Sequence, residues 1–215
     1  MNKSILKVHL DILDNTRQEL LQEILPNTQG FVLSGGTALA LQLAHRKSFD
    51  FDFFSFSPVP KGFLEKLSKD IEIGNIAVDT SDELTFFTKD NIKVTFLHYP
   101  FEPHFKTLAL EDGLSIFPVQ EIALQKAYTV GRRGEYRDYF DLYFILKDKY
   151  INLNEIITGA KGVYGNVFDK KIFLEQLVYF GDMQNFDIIP VSKTQLTKPE
   201  EVKQFFIELV KAFVK

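Results

Sequence analysis

The sequence predicts an α+β protein in which a first half containing a sheet is followed by an all-helical second half. Strand-like apolar runs bounded by Gly, Pro, Asn and Asp all fall before residue 118. After Pro118, apolar residues recur at the spacing of amphipathic helices. A chain of 215 residues is long enough to form two small domains. We therefore assign residues 1–117 to an α/β domain and residues 118–215 to a helical domain.

The elements of the first half follow from periodicity and from turn residues. The predicted helices cover 4–25, 37–44 and 61–70, and the predicted strands cover 31–33, 48–54, 71–80, 84–88, 92–99 and 113–117. The first helical segment ends before Pro26, which has no amide hydrogen to continue a helix. The turn residues Lys89, Asp90 and Asn91 predict a hairpin between the strands on either side.

The second half is predicted to be helical throughout. Apolar spacing places helices at 119–130, 136–147, 152–160, 168–179 and 199–213. The connection over 181–198 is expected to be ordered, because it carries Phe186, Ile188 and Ile189.

Composition excludes several classes of protein. The sequence is 45% hydrophobic, which excludes intrinsic disorder, and it has no Cys, which excludes disulfides and thiolate zinc sites. It has no run of about 18 apolar residues, so we expect no membrane span. The absence of Cys fits a cytoplasmic location, which we expect for this protein. The net charge of −4 argues against the class of nucleic-acid-binding proteins that carry an overall positive charge.

A Gly-Gly-Thr turn lies between the first predicted strand and the following helix. Ser34, Gly35, Gly36 and Thr37 form this junction. Amides at the start of a helix attract anions, and glycine lets a phosphate approach the main chain closely. On its own, such a pair of glycines is also typical of an ordinary turn.

Asp50 and Asp52 form an Asp-x-Asp pattern on the second predicted strand. Residues two apart point to one face of a strand, so the carboxylates project together and Phe51 and Phe53 project to the other face. Two neighbouring carboxylates favour a cation between them, and their hard oxygens suit Mg²⁺. The alternative is an exposed strand with a polar face, which the surrounding Phe residues disfavour.

Three basic residues, His45, Arg46 and Lys47, precede the Asp pair. They indicate contact with a triphosphate or an RNA backbone, with Arg46 as the best single candidate. A solvated helix end, where cations are favoured by the helix dipole, is an equally good interpretation.

The order of strand, Gly-Gly-Thr turn, helix and Asp-x-Asp strand resembles the polymerase-beta-type nucleotidyltransferases. The amino-acid sequence of residues 35–41 and 50–55 resembles the AbiEii/AbiGii toxin nucleotidyltransferases in particular. Residues 119–144 extend the resemblance over roughly 30–147. It implies a mixed sheet with flanking helices and a metal-dependent enzyme that transfers a nucleoside monophosphate from a triphosphate to an acceptor. Asp50 and Asp52 would hold Mg²⁺ or Mn²⁺, and the turn from Ser34 to Thr37 would bind the triphosphate. RNA is the implied acceptor, with transfer RNA as one candidate, and a toxin role implies a cognate antitoxin.

The resemblance also gives roles to residues of the helical half. Lys126 and Asp141 match catalytic positions of the family, and Arg133 lies in its Arg-rich turn, where it would contact the nucleotide. Arg137 and Asp138 fit catalysis and an interhelical salt-bridge cluster equally well, and we assign Arg137 mainly to structure.

One position departs from the pattern of the fold. A third carboxylate is expected on a later core strand, and Thr95 stands where we would look for it. Two hypotheses therefore stay open: an active nucleotidyltransferase, which the Asp pair favours, and a non-catalytic module that binds a nucleotide or a partner, which the missing acid favours.

Overall fold

The computed structural model describes residues 8–130, 132–183, 185–191 and 197–215. The chain divides into two compact units. The first runs to Glu102 and resumes over Lys106–Pro118, and the second comprises Pro103–Phe105 and Val119–Lys215.

Within the described residues, the strands of the first unit form one mixed sheet of seven strands. They are β1 Val32–Ser34, β2 Phe51–Ser55, β3 Ile73–Asp79, β4 Glu83–Thr88, β5 Lys93–His98, β6 Leu108–Ala109 and β7 Ser115–Ile116. The spatial order is β3-β4-β5-β2-β1-β7-β6. The pairs β2–β5 and β1–β7 are parallel, and the remaining pairs are antiparallel. The predicted fold class, a mixed sheet with flanking helices, is confirmed.

The helices of the first unit begin and end for identifiable reasons. They are α1 Asn15–Ile24, α2 Gly35–Leu43 and α3 Phe63–Leu67, with 3-10 turns at Leu10–Ile12 and Leu25–Asn27. The Asp14 side chain caps α1 by accepting a hydrogen bond from the amide of Arg17. Pro26 lies in the 3-10 turn that follows, so the predicted end of this helix is confirmed.

Phenylalanine side chains fill the core beside β2. Phe51 and Phe53 are fully buried, and the Phe53 ring stacks on Phe96 of β5 at 5.0 Å between centroids. Phe31 stacks on Phe63 at 5.2 Å. These contacts make β2 and β5 the buried centre of the sheet, with Asp52 directed away from this core by the strand alternation.

The structure differs from the sequence-based prediction at several places in the first unit. The helix predicted over 4–25 begins outside the described residues, and within them it is divided into the 3-10 turn at Leu10–Ile12 and α1. Strand β6 was missed because two residues are too short for a periodic signal. Helix α2 begins at Gly35, two residues earlier than predicted. Strand β2 begins at Phe51, so Asp50 precedes the strand instead of belonging to it. The Asp50 carbonyl accepts a hydrogen bond from the Thr37 hydroxyl. This bond replaces a hydrogen bond of the carbonyl to a neighbouring strand.

The second unit is helical, as predicted. Its helices are α4 Val119–Val130, α5 Tyr136–Lys147, α6 Leu153–Tyr164, α7 Lys170–Val178 and α8 Pro199–Phe213. Asn152 and Glu155 form a capping box at the start of α6, and Asp169 caps α7. The described part of the connection predicted over 181–198 has no helix or strand, and residues 184 and 192–196 lie outside the described residues.

Helices α4 and α6 pack closely because α6 carries a glycine at the contact. A Cβ on Gly159 would lie 2.9 Å from a methyl carbon of Leu124.

In the described part of the chain, no helix is both long enough and apolar enough to cross a membrane.

Candidate active site

The two glycines at the start of α2 are required by the side chains that pack against them. Gly35 has a φ of +66°, in the left-handed region, and a Cβ there would collide with the Asp52 carboxylate. A Cβ on Gly36 would lie 2.5 Å from Nη2 of Arg46. The turn therefore brings an acidic and a basic side chain against the first turn of α2, which an ordinary turn would not need.

The register of β2 places Asp52 in the middle of a polar row. Its Cα pairs with Ser34 on β1 and with Thr95 on β5. Asp52 is half-buried, while its neighbours Phe51 and Phe53 are fully buried. The predicted division of acidic and aromatic side chains between the two faces therefore holds for Asp52.

A hydroxyl of α2 fixes Asp50 near the same turn. The Thr37 hydroxyl donates to the Asp50 carbonyl and lies 2.9 Å from the Ser48 hydroxyl. Thr37 is only 1% exposed, so its side chain positions the segment that leads into β2. Ser48 was missed by the sequence reasoning, since a lone serine before a strand gives no signal.

The basic residues before β2 differ from one another in exposure. His45 and Arg46 are buried, and Lys47 is exposed. Nη1 of Arg46 donates to the Lys47 carbonyl at 3.0 Å. The interpretation of this segment as a solvated helix end is therefore wrong for His45 and Arg46. Burial of the guanidinium beside Gly36 puts a positive charge at the Gly-Gly turn.

The polar row continues past Thr95 onto β4. Thr95 pairs with Thr85, and their hydroxyl oxygens lie 3.2 Å apart. The Thr85 hydroxyl also donates to Oε1 of Glu83 at 2.7 Å. Of this row on β4 and β5, only Thr95 was singled out from the sequence. The alternation of Glu83 and Thr85 with Leu84 and buried aromatic residues is the signal that could have indicated the others.

In the second unit, Lys126 lies between two buried carboxylates of α5. Its Nζ is 2.7 Å from Oδ1 of Asp138 and 2.6 Å from Oδ2 of Asp141. Arg133 donates to both oxygens of Asp138, at 2.8 and 3.1 Å. We call these four residues, Lys126, Arg133, Asp138 and Asp141, the buried charge cluster.

The cluster is held together by mutual neutralisation. Burial by itself would raise the pKa of the Asp138 carboxyl, but the charges and hydrogen bonds of Lys126 and Arg133 lower it below its ordinary value. The side chains of Lys126, Asp138 and Asp141 are buried, whereas that of Arg133 is 58% exposed. The cluster joins α4 to α5 inside the second unit.

Arg137 is not part of this cluster. Its side chain is exposed and its Nη2 lies 3.6 Å from Oε2 of Glu135. The structural role assigned to Arg137 from the sequence is therefore wrong. Arg137 directly precedes Asp138, and adjacent residues of a helix point in different directions, so its side chain faces solvent. Asp138 and Asp141 are three residues apart and share the inner face of α5.

The tyrosines of this region serve packing. Tyr136, Tyr139 and Tyr143 are buried, and Tyr128 stacks on Tyr164 at 4.3 Å.

Asp50 and Asp52 provide the hard oxygen ligands that a divalent cation requires. Among the described residues, no group of three or more His, Asp or Glu side chains is placed to hold a metal ion. Asp50 and Asp52 therefore offer a cation two carboxylates, which is fewer oxygen ligands than such a cation takes.

A mixed sheet, a Gly-Gly turn that opens a helix and an Asp-x-Asp pattern at the neighbouring strand define the class of nucleotidyltransferase folds. The family described as "Nucleotidyl transferase AbiEii toxin, Type IV TA system" has a sequence model that matches residues 19–201. The chain belongs to this family of nucleotidyltransferase toxins, and the predicted family resemblance is confirmed.

Individual proteins agree with this assignment. The uncharacterized protein aq_aa25 of Aquifex aeolicus (strain VF5) is 31% identical over 213 residues, which cover 94% of this chain and 98% of that protein. The crystal structure of JHP933 from Helicobacter pylori is similar with a TM-score of 0.59 at 20% identity, covering 95% of this chain and 92% of that one. MenT4, the nucleotidyltransferase toxin Rv2826c of Mycobacterium tuberculosis H37Rv, gives a TM-score of 0.55 at 17% identity, covering 90% and 82%. The two structures show that the fold is shared.

Proposed function

We propose that the chain is a metal-dependent nucleotidyltransferase toxin that transfers a nucleoside monophosphate from a nucleoside triphosphate to an RNA acceptor. The observation that carries this proposal is the packing of the Asp52 carboxylate against Gly35, with the Asp50 main chain tied by Thr37 to the same helix turn. Asp52 alternates with the buried Phe51 and Phe53 along β2, so its carboxylate projects to the other face of the sheet.

Asp50 and Asp52 would hold Mg²⁺ or Mn²⁺ together with the phosphates of the nucleotide. When bound, such a cation neutralises phosphate charge and activates the attacking hydroxyl. The protein supplies the alignment, which is the larger part of catalysis in phosphoryl transfer.

The first turn of α2 would bind the triphosphate. Its amides at Gly35 and Gly36 are at a helix start, where anions are favoured. The Arg46 guanidinium lies next to Gly36 and adds fixed positive charge. Ser34 and Thr37 are buried and act by shaping the turn.

Lys126, Asp141 and Arg133 enter the proposal from the second unit. In the structure Lys126 already forms ion pairs with Asp138 and Asp141, so a phosphate would have to compete with these two carboxylates for its ammonium group. Arg133 is the most exposed cation of the buried charge cluster and is the one that we assign to contact with the nucleotide. We assign Asp141 a catalytic role through its hold on Lys126.

RNA, with transfer RNA as one candidate, is the proposed acceptor, and an antitoxin encoded with the toxin is the proposed protein partner. Membership of a toxin family supports both. The family also supports a cytoplasmic location, where RNA and nucleoside triphosphates are available.

The test is incorporation of labelled nucleotide into total RNA, with each of the four nucleoside triphosphates and several Mg²⁺ concentrations. Wild type should label RNA with at least one nucleotide. Asp52→Asn should abolish labelling, and Asp141→Asn should reduce it nearly as far. Asp90→Asn and Asp148→Asn make the same change at an exposed position in each unit. Both variants should incorporate as much labelled nucleotide into RNA as wild type does.

The alternative is a binding module without catalytic activity, which Thr95 in register with Asp52 favours. Absence of labelling by wild type under every nucleotide, together with nucleotide binding in a titration, would select this alternative.

A further inference from the structure

A row of polar side chains crosses the sheet from Asp52 to β4. Thr95 is in register with Asp52 on the neighbouring parallel strand, and Thr85 is in register with Thr95 on the next strand. Paired residues of adjacent strands project to the same face, so these side chains lie side by side. Glu83, two residues before Thr85, projects to this face too.

The two hydroxyls of this row are buried. Thr85 is 3% exposed and Thr95 is 8% exposed, while their strand neighbours Phe86, Val94 and Phe96 project to the opposite, apolar face. A buried hydroxyl is costly unless it is hydrogen-bonded. Valine would fill the same space without that cost, so the row needs a reason beyond packing.

Glu83 determines the direction of the hydrogen bonds. An ionised carboxylate can only accept, so the Thr85 hydroxyl donates its single proton to Oε1 of Glu83, at 2.7 Å. In the 3.2 Å contact between the two hydroxyls, Thr95 must then be the donor. With its proton committed to Thr85, the Thr95 oxygen keeps its lone pairs for other partners and has no proton to offer to Asp52.

We infer that Glu83, Thr85 and Thr95 form a relay that presents the Thr95 oxygen as a third, uncharged ligand for the divalent cation at Asp50 and Asp52. The inference rests on the proposed function, and it deepens it at the one position where the fold lacks its expected acid. Hydroxyl oxygens of Ser and Thr are known ligands of Mg²⁺ in phosphate-binding sites. Glu83 and Thr85 are positioning residues, and Thr95 is the one that would touch the cation.

Placing the negative charge on β4 has an electrostatic consequence. Strands are about 4.8 Å apart, so the backbone of Glu83 is about 10 Å or more from that of Asp52. A carboxylate at Thr95 would be directly beside Asp52, and repulsion rises as the separation falls. The relay therefore orients a third oxygen with less repulsion in the metal-free protein than a third acid at position 95 would cause.

The test is a titration of the full chain with Mn²⁺ alone, followed by the electron paramagnetic resonance signal of the free ion. Thr95→Val should weaken Mn²⁺ binding by about tenfold or more, and Glu83→Leu, which removes the acceptor of the Thr85 proton, should weaken it by about tenfold, the range found for residues around a metal's direct ligands. In the Thr95→Val background, Glu83→Leu should have no further effect, because the relay acts only through Thr95. Thr95→Ser keeps the hydroxyl and should bind as wild type does.

Thr88→Val is the matched control for loss of a buried hydroxyl. Thr88 lies on β4 and is buried, but its side chain projects to the opposite face and accepts from the Ile92 amide. It should bind Mn²⁺ as wild type does, whatever its effect on melting temperature.

Two results separate failure of the relay from failure of the proposed function. If Asp52→Asn loses Mn²⁺ binding while Thr95→Val and Glu83→Leu bind as wild type does, the relay is wrong and the proposed function stands. If Asp52→Asn also binds as wild type does, the cation site itself is wrong. Independent, additive losses in Thr95→Val and Glu83→Leu would also overturn the relay.

Discussion

The two acidic pairs of this protein are built in opposite ways. Asp50 and Asp52 of the first unit are half-buried, and the Asp52 carboxylate lies against Gly35. Asp138 and Asp141 of the second unit are buried and share Lys126. A half-buried pair retains contact with solvent and can exchange it for a ligand. A buried pair depends on its counter-charges for the stability of the fold. Function and stability should therefore be separable in the first unit and coupled in the second.

The largest expected effect is at Lys126. Lys126→Met would remove the buried ammonium group that contacts both Asp138 and Asp141, and breaking a buried ion pair in this way costs about 3–5 kcal/mol. Urea unfolding of the variant should show this loss. Lys171→Met is the control, because Lys171 is exposed and pairs with Glu175 at 3.8 Å on the surface of α7. Equal stability of the two variants would show that the buried charge cluster does not stabilise the second unit.

Glycine substitutions test whether the site geometry can be damaged without changing a charge. Gly35→Ala and Gly30→Ala both force Ala into positive φ, which costs about 1–2 kcal/mol. Only Gly35→Ala also displaces the Asp52 carboxylate, because nothing lies within 4 Å of a Cβ at Gly30. Both variants should lose similar stability, and only Gly35→Ala should lose binding of Mg²⁺ with nucleotide. Equal binding by both would contradict the role given to this turn.

The pH dependence of stability should report on Asp138. Its pKa in the folded protein is lowered below the ordinary 3.8, so the folded state binds fewer protons than the unfolded state in this range. The stabilisation is complete above pH 3.8 and is lost as the pH falls below that value towards the lower folded pKa. Urea unfolding between pH 5 and pH 2.5 should therefore show a shallower acid loss in Asp138→Asn than in wild type. The exposed control Asp148→Asn should follow wild type, and a slope in Asp138→Asn as steep as in wild type would refute the assignment.

The smallest expected effect is at Arg137. Its single contact with Glu135 is exposed, and exposed ion pairs contribute about 0–1 kcal/mol. Arg137→Ala should melt close to wild type. Arg17→Ala should melt lower, because Arg17 donates to the Phe49 carbonyl at 3.0 Å and its guanidinium packs over the Phe49 ring. The reverse order of the two melting temperatures would contradict these assignments.

Patterns that repeat over many residues were predictable from the sequence. The bounds of α4, α5 and α8 agree with those predicted, because long amphipathic spacing leaves little ambiguity. The orientation of Asp52 against Phe51 and Phe53 followed from the two-residue period of a strand. The glycine turn was also recognisable, although its reason, the approach of Asp52 and Arg46, was not.

Features that depend on contacts between distant residues could not be predicted. The burial of Arg46 depends on how residues 44–48 fold back onto α2. The start of β2 depends on a hydroxyl thirteen residues earlier, in Thr37. The contact of Lys126 with two carboxylates requires the packing of α4 on α5, and the row from Glu83 to Thr95 appears only when strand register is known.

The central claim is that Asp52 serves binding and not the stability of the fold. The most direct measurement is a calorimetric titration of Mg²⁺ with nucleoside triphosphate into wild type and Asp52→Asn, with the melting temperature of both proteins in metal-free buffer. We expect Asp52→Asn to lose binding and to melt at or slightly above the wild-type temperature, because one of two neighbouring like charges is removed. Binding equal to that of wild type, or a loss of binding accompanied by a large fall in melting temperature, would contradict the claim.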